Sequence, residues 1–142
     1  MLATETRIWM ALRQRILSLP GGYPFDFIDP EFVRPADGTG LLPFVEAANI
    51  DSAPERITLG SDDPDDRGGI LTLTLMMPVH LKRSREYLTE QGGRIAAHFA
   101  KDLKLLFDGV TVRIETTPRV VDPYRDDAYW RVPVSIRWQS FS

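Results

Sequence analysis

The sequence predicts an α+β fold, a two-layer sandwich in which two main helices pack on one face of a largely antiparallel sheet of about four to six strands. Three observations carry that expectation. From Trp130 to Trp138 the residues Trp130, Val132, Val134, Ile136 and Trp138 fall on one side of an alternating pattern, with Arg131, Pro133, Ser135 and Arg137 on the other, which is the signature of a half-buried strand. A second stretch alternates in the same way, with Leu71, Leu73, Leu75 and Met77 on one face and Thr72, Thr74 and Met76 on the other. Two further stretches carry apolar residues at helical spacing, and such helices supply the cover that the tryptophans and branched aliphatics of the last strand need.

Taken in order, the residues Thr4 to Leu19 place Ile8, Leu12, Ile16 and Leu19 on one helical face, widened by Trp9 and Met10, with Arg7, Arg13, Gln14 and Arg15 largely off it. Pro20, Gly21 and Gly22 end that helix. Two short strands follow, Tyr23 to Ile28 and Leu41 to Ala47, joined by a long loop through Asp29-Pro30 and Pro35 to Gly40. Asn49 to Arg56 reads as polar and proline-broken. Ile57-Thr58-Leu59 reads as a short strand before the acidic run Ser61 to Asp66. Gly68-Gly69 releases the chain into the alternating strand that Pro78 closes.

A second helix is expected over Ser84 to Ala100 through Tyr87, Leu88, Ile95 and Phe99. Its glycine pair, Gly92-Gly93, costs about 1 kcal/mol per residue relative to alanine and so marks either a break or a close backbone approach. Asp108-Gly109 between Leu103 to Phe107 and Val110 to Ile114 signals a hairpin. Pro118 ends that strand, and Asp122 to Asp127 reads as a polar loop leading into the Trp130 strand. Pro133 cannot donate to a ladder, which puts this last strand at a sheet edge or gives it a bulge.

The totals restrict the function classes. At 142 residues the chain forms a single domain spanning 1–142. With 43% hydrophobic and 26% charged residues it has the composition of an ordinary globular protein. The lack of cysteine removes disulfides, thiolate metal sites and a cysteine nucleophile, and points to an intracellular origin. A net charge of −3 argues against a protein built mainly to grip nucleic acid. No apolar run approaches the ~20 residues that span a bilayer, so no membrane insertion is expected.

Residues with catalytic or metal-binding potential do not assemble into a motif. His80 and His98 are too far apart for a helical H-x-x-x-H pair, and nucleophile-elbow, phosphate-loop and dinucleotide fingerprints are missing. A calcium loop begun at Asp63 would have Asp65 third and Gly68 sixth, but Arg67 falls fifth and Thr74 twelfth, where a bidentate glutamate is required. Lys82, Arg83 and Arg85 read as a solvated cap on the second helix. The expectation is therefore no catalytic residue, no metal site and no cofactor.

Over nearly its full length the chain resembles the tail-terminator proteins of long-tailed bacteriophages, the group related to minor tail protein U of phage lambda. The resemblance rests on the helix Ile8 to Leu19, the glycine-led strand Gly69 to Pro78, and the helix ending in Phe99. It continues through Gly109-Val110, Pro118, and Trp130-Arg131-Val132-Pro133-Val134. It implies a non-enzymatic structural protein of the virion that forms a hexameric ring of copies of itself on the last ring of the tail tube. Its partners would be the tail-tube protein and the head-completion protein, and DNA would pass through the lumen without specific binding. Its place would be the head-proximal end of the tail, with the host cytoplasm before assembly.

On that reading Arg131, Pro133 and Arg137 are candidates for a subunit contact along an edge strand. Asp62, Asp63, Asp65 and Asp66 are candidates for an acidic loop facing the lumen or ring, where they would repel phosphate, the default being an outer solvated turn. Two alternatives remain. One is a head-completion or neck ring protein. The other is a small-ligand-binding α+β domain or an enzyme, which would need a pocket between helices and sheet. The unbroken apolar stripe of the tryptophan strand favours a filled core and hence a ring protein.

Overall fold

The computed structural model describes residues 2–51, 55–56 and 65–141. In chain order the elements are helix α1 (Thr4–Leu17), then strands β1 (Phe25–Asp26), β2 (Ala36–Asp37), β3 (Gly40–Leu41), β4 (Phe44–Asp51), β5 (Glu55–Arg56) and β6 (Asp65–Pro78). A single 3-10 turn (Val79–Leu81) leads to helix α2 (Arg85–His98), followed by β7 (Lys104–Phe107), β8 (Val110–Ile114), β9 (Arg119–Val120), β10 (Tyr124–Asp126) and β11 (Tyr129–Phe141). The expected strand at Ile57 to Leu59 lies outside the described residues.

The two most strongly alternating stretches become the two long central strands. β6 and β11 pair antiparallel from Tyr129↔Pro78 to Phe141↔Asp66 without a slip. From this ribbon the sheet extends as β1-β4-β6-β11-β8-β7, with β5 added to β6 and with β9 and β10 added to β11. All of these pairings are antiparallel except β1 with β4, so the sheet is mixed. β2 and β3 form a small separate hairpin.

Both helices cover one face, as the apolar pattern requires. Ile8, Ala11, Leu12 and Ile16 of α1 and Leu88, Ile95 and Phe99 of α2 and its end share one buried cluster with Leu71, Leu73, Leu75, Val132, Val134, Ile136 and Trp138 of the central ribbon. α1 stops at Leu17, before the expected Leu19, but the Leu19 amide still bonds the Ile16 carbonyl at 3.0 Å and its side chain packs on the core. At the start of α2 the Ser84 hydroxyl accepts from the Tyr87 amide.

The glycine pair in α2 does not break the helix. A Cβ on Gly92 would lie 2.9 Å from Val120 Cγ1 and 3.0 Å from Val132 Cγ1, whereas one on Gly93 would meet nothing within 4 Å. Gly92 is thus where α2 approaches the sheet most closely.

Two expectations are corrected. β11 is no edge strand, since β6 lines one side of it while β10, β9 and β8 succeed one another along the other. Pro133 is tolerated because its carbonyl, which accepts from the Val121 amide at 2.8 Å, points away from β6. Its missing N–H therefore faces residues 121–123, where the β10 ladder has ended and the β9 ladder has yet to begin. The proline marks a bulge on the opposing side. The segment Asp122 to Asp127, expected as a loop, supplies β10.

The ends of the two helices meet at His98. Arg15 donates from Nε and Nη2 to the His98 carbonyl at 2.9 and 2.7 Å, and the His98 Nε2 lies 2.8 Å from the Ser18 hydroxyl and 3.1 Å from the Arg15 carbonyl. Burial first, and then the Arg15 charge, hold the imidazole below its ordinary value against the opposing pull of the Arg15 carbonyl.

Two predictions follow from this packing. Gly93→Ala gains about 0.5–1 kcal/mol of helix propensity with no steric cost, whereas Gly92→Ala is destabilising because overpacking costs about 1–3 kcal/mol. Urea unfolding of the two variants should move the midpoint in opposite directions. For His98, the unfolded chain takes up the proton first, so stability falls as pH drops below about 6.5. The unfolding midpoint should drop more between about pH 7.5 and about pH 5.5 in the parent protein than in His98→Gln; equal drops would rule out this histidine as the source.

Candidate assembly interface

The face of the sheet turned away from the helices is divided into a covered end and an open end. At the covered end Phe44, Met76 and Tyr129 are buried beneath Phe32 and Leu41. Phe44 meets Tyr129 edge-on with ring centroids 5.6 Å apart, and the Arg34 guanidinium lies 5.2 Å over the Tyr129 ring. The β2–β3 hairpin that brings Leu41 here is held by His80 Nε2, 2.8 Å from the Leu41 carbonyl, and by Asp37, which accepts from the Thr39 amide and hydroxyl. Those Thr39 bonds hold the Asp37 carboxyl below the usual carboxylate range.

At the open end Ile50, Ile70, Thr72, Glu115 and Arg137 surround a groove of about 510 Å³, floored in part by Gly69 and Trp138. The floor is rigid. Trp138 Nε1 donates to Asn49 Oδ1 at 2.9 Å, and a Cβ on Gly69 would fall 2.6 Å from both the Trp138 ring and the Ile50 carbonyl.

The residues singled out from the sequence are dispersed. Arg131 belongs to the covered end, half-buried, with Nε 2.7 Å from Asp126 and Nη1 4.0 Å from Glu46. Pro133 stands mid-face opposite Thr74, and Arg137 lies at the open end opposite Ile70. Six residues of extended strand, about 20 Å, separate Arg131 from Arg137, so they do not form one patch. Asp62 and Asp63 lie outside the described residues, and Asp65 and Asp66 enter only as backbone of β6. Among the described residues no three His, Cys, Asp or Glu side chains converge as a metal site, and no helix is long and apolar enough to cross a membrane.

Edges with no neighbouring strand occur elsewhere. β1 covers β4 only at Val45 and Glu46. It stops there because Asp26 Oδ1 accepts from the Ile28 amide and Ile28 turns left-handed at φ 62, a conformation that a β-branched side chain rarely adopts. The chain veers away, leaving the Ala47–Asp51 side of β4 without a strand partner among the described residues, beside a shallow hollow lined by Trp9, Phe27, Ile28 and Ala47 to Asn49. At the far end of the sheet β7 has β8 on one side only among the described residues. Each edge displays an exposed aliphatic, Ile50 at 74% and Leu106 at 71%.

Sequence reasoning anticipated the β7–β8 hairpin but did not identify either edge. Ile50 was a lone apolar residue in a stretch read as polar, and Leu106 was placed in one arm of the Asp108-Gly109 hairpin without any sign that this arm would be the outermost strand. The alternation of buried Leu105 with exposed Lys104 and Leu106 was the available signal for β7.

A family model described as phage tail terminator protein matches residues 7–138. No curated protein matches the chain by sequence. A solved structure that is 19% identical, with 98% of this chain and 96% of the other covered, is similar with a TM-score of 0.73, which shows a shared fold.

The left-handed Ile28 is a test of the geometry at the β4 edge. Its side chain is 58% exposed, so replacing it loses little packing, and Ile28→Asn relieves backbone strain. Chemical unfolding should show a gain of about 0.5–1 kcal/mol; a loss of similar size would mean that Ile28 is not held in that conformation.

Proposed function

We propose a tube-capping role for this chain, which belongs to the phage tail terminator family and is thereby a structural tail protein of a bacteriophage virion. In this reading, copies of the chain close into a hexameric ring on the last ring of the tail tube. The ring ends tube polymerisation, presents a surface to the head-completion protein at the head-proximal end, and lets DNA pass through its lumen without specific binding.

The observation that carries the reading is the family match across residues 7–138, which includes both helices and the central ribbon. The packing supports it. The space between helices and sheet is filled by side chains such as Leu12, Ile16, Leu73, Val134 and Phe99, each 0% exposed, where a ligand carrier would keep a cavity. Two of the large apolar side chains left uncovered, Ile50 and Leu106, stand instead at strand edges, where neighbouring subunits would meet in this reading. A net charge of −3 fits a ring through which a polyanion must slide without adhering.

Mixing the purified chain with polymerising tail-tube subunits and imaging the products by electron microscopy tests the proposal. Short tubes, each closed at one end by a ring, are the expected product. Uncapped tubes of uncontrolled length would reject the capping role and turn attention to a neck protein that engages the head side first.

A further inference from the structure

We infer that the open Ala47–Asp51 side of β4 is a docking site for an extended segment of a partner protein. The segment joins the sheet as an added strand and carries an apolar residue and, two positions from it, a lysine or arginine. The site is a property of the edge itself and stands whether or not the chain caps a tube.

A specific local device leaves the edge open. The Val45 amide donates to the Pro24 carbonyl at 2.9 Å, so the odd-numbered residues of β4 turn their peptide groups toward β1 while the even-numbered ones bond β6. Continued in register, this parallel ladder would bring the Ile28 amide to the Ala47 carbonyl. Instead Asp26 Oδ1 accepts from that amide at 2.8 Å, and Ile28 turns left-handed. The Ala47 carbonyl, the amide and carbonyl of Asn49 and the Asp51 amide thereby face outward with no strand partner among the described residues. Such a row of donors and acceptors is a template for another strand.

Beside the row lies a hollow of about 400 Å³, lined by Trp9, Phe27, Ile28, Ala47, Ala48 and Asn49. It opens on the helix side of the sheet, since Ala47 and Asn49 stand opposite Leu73 and Leu71, which are buried against the helices, and Trp9 belongs to α1. Its wall is already set. The Phe27 ring meets Trp9 edge-on at 5.8 Å and lies under the Arg13 guanidinium at 4.8 Å. Alternate side chains of an added strand point to this side, so one enters the hollow and the next on that face reaches Asp51. Asp51 is exposed and has no ion-pair partner among the described residues. The Asn49 amide group donates to its Oδ1 at 2.6 Å, which holds the carboxylate at the rim of the hollow, where it selects a basic residue.

The outer strands of a second copy do not match. Lys104 is level with Gln139 through Arg113, and Asp51 with Trp138 through Gly69, so β7 lies beyond the open stretch and not beside it. β10 carries Tyr124 and, two positions on, Asp126, which would set acid against acid.

The probe is a terminally blocked synthetic heptapeptide, Thr-Val-Thr-Phe-Thr-Lys-Thr, added to the full chain and followed by residue-resolved amide hydrogen exchange. At saturation the exchange of the Asn49 and Asp51 amides should slow at least tenfold, while that of the Ile50 amide, which faces β6, should not change. The same peptide with glutamate in place of lysine should bind at least tenfold more weakly, and Asp51→Lys should reverse that preference. Unchanged exchange at Asn49 and Asp51 up to millimolar peptide would overturn the docking site. Equal binding of the two peptides would overturn the partner's stated chemistry. Protection of the same amides by self-association, without peptide, would assign the edge to a second copy and overturn the proposal likewise.

Discussion

The ladder between β6 and β11 is the constraint on which the other features depend. Thirteen consecutive residue pairs, from Tyr129↔Pro78 to Phe141↔Asp66, fix which side of every central residue faces the helices. A slip by one position would carry Val132, Val134, Ile136 and Trp138 to the solvent face and bring Arg131 and Arg137 inward. The register is locked at one end by shape. Trp138 fills the space above Gly69, and any side chain at that glycine would collide with the indole and with the Ile50 carbonyl. The indole N–H is then satisfied by Asn49 on the next strand, so one tryptophan ties β11, β6 and β4 together.

Because that ribbon is interior, its proline has to be accommodated without surrendering the strand. The accommodation comes from the opposite partner, which changes at residues 121–123 from β10 to β9 just where Pro133 offers no donor. Val121 still donates to the Pro133 carbonyl, so only the absent N–H goes unused. Val120, carried by the same irregular segment, presses against Gly92 and allows α2 to settle on the sheet. The proline, the divided partner strand and the helical glycine thus form one packing arrangement, although they are far apart in sequence.

The fold class was legible because its signals are local and repeated. Alternation at Leu71 to Met77 and Trp130 to Trp138, helical spacing at Ile8 to Ile16 and the Asp108-Gly109 turn each specify their own element. That turn has positive φ at both residues, 45 and 82, as a tight hairpin requires. What could not be read was pairing. Whether Pro133 meant an edge or a bulge depends on where Val120 to Tyr124 sit, and the parallel two-residue β1 leaves no periodic trace at all. The candidate surface suffered most from this. Arg131 and Arg137 share a strand face in sequence, yet the structure commits Arg131 to Asp126 and Glu46 at the covered end. Ile50, Leu106 and Ile28 gain meaning only once the open edges are known.

The energetics of such edges bear on the assembly proposed for the chain. Fully burying an aliphatic such as Ile50 or Leu106 contributes about 1.5–3 kcal/mol. Bringing two free subunits together costs about 4–15 kcal/mol in lost translation and rotation, so a joint of this size is too weak to gather subunits from dilute solution. The balance changes when subunits are already held side by side on a template, because the second contact then forms at a high effective concentration and the association cost has been met once for the assembly. Under the proposed capping role, small apolar edge contacts of this kind suit subunits that join on a template and not in dilute solution. A larger, wholly apolar edge would close rings, or add strands without limit, wherever the protein was made.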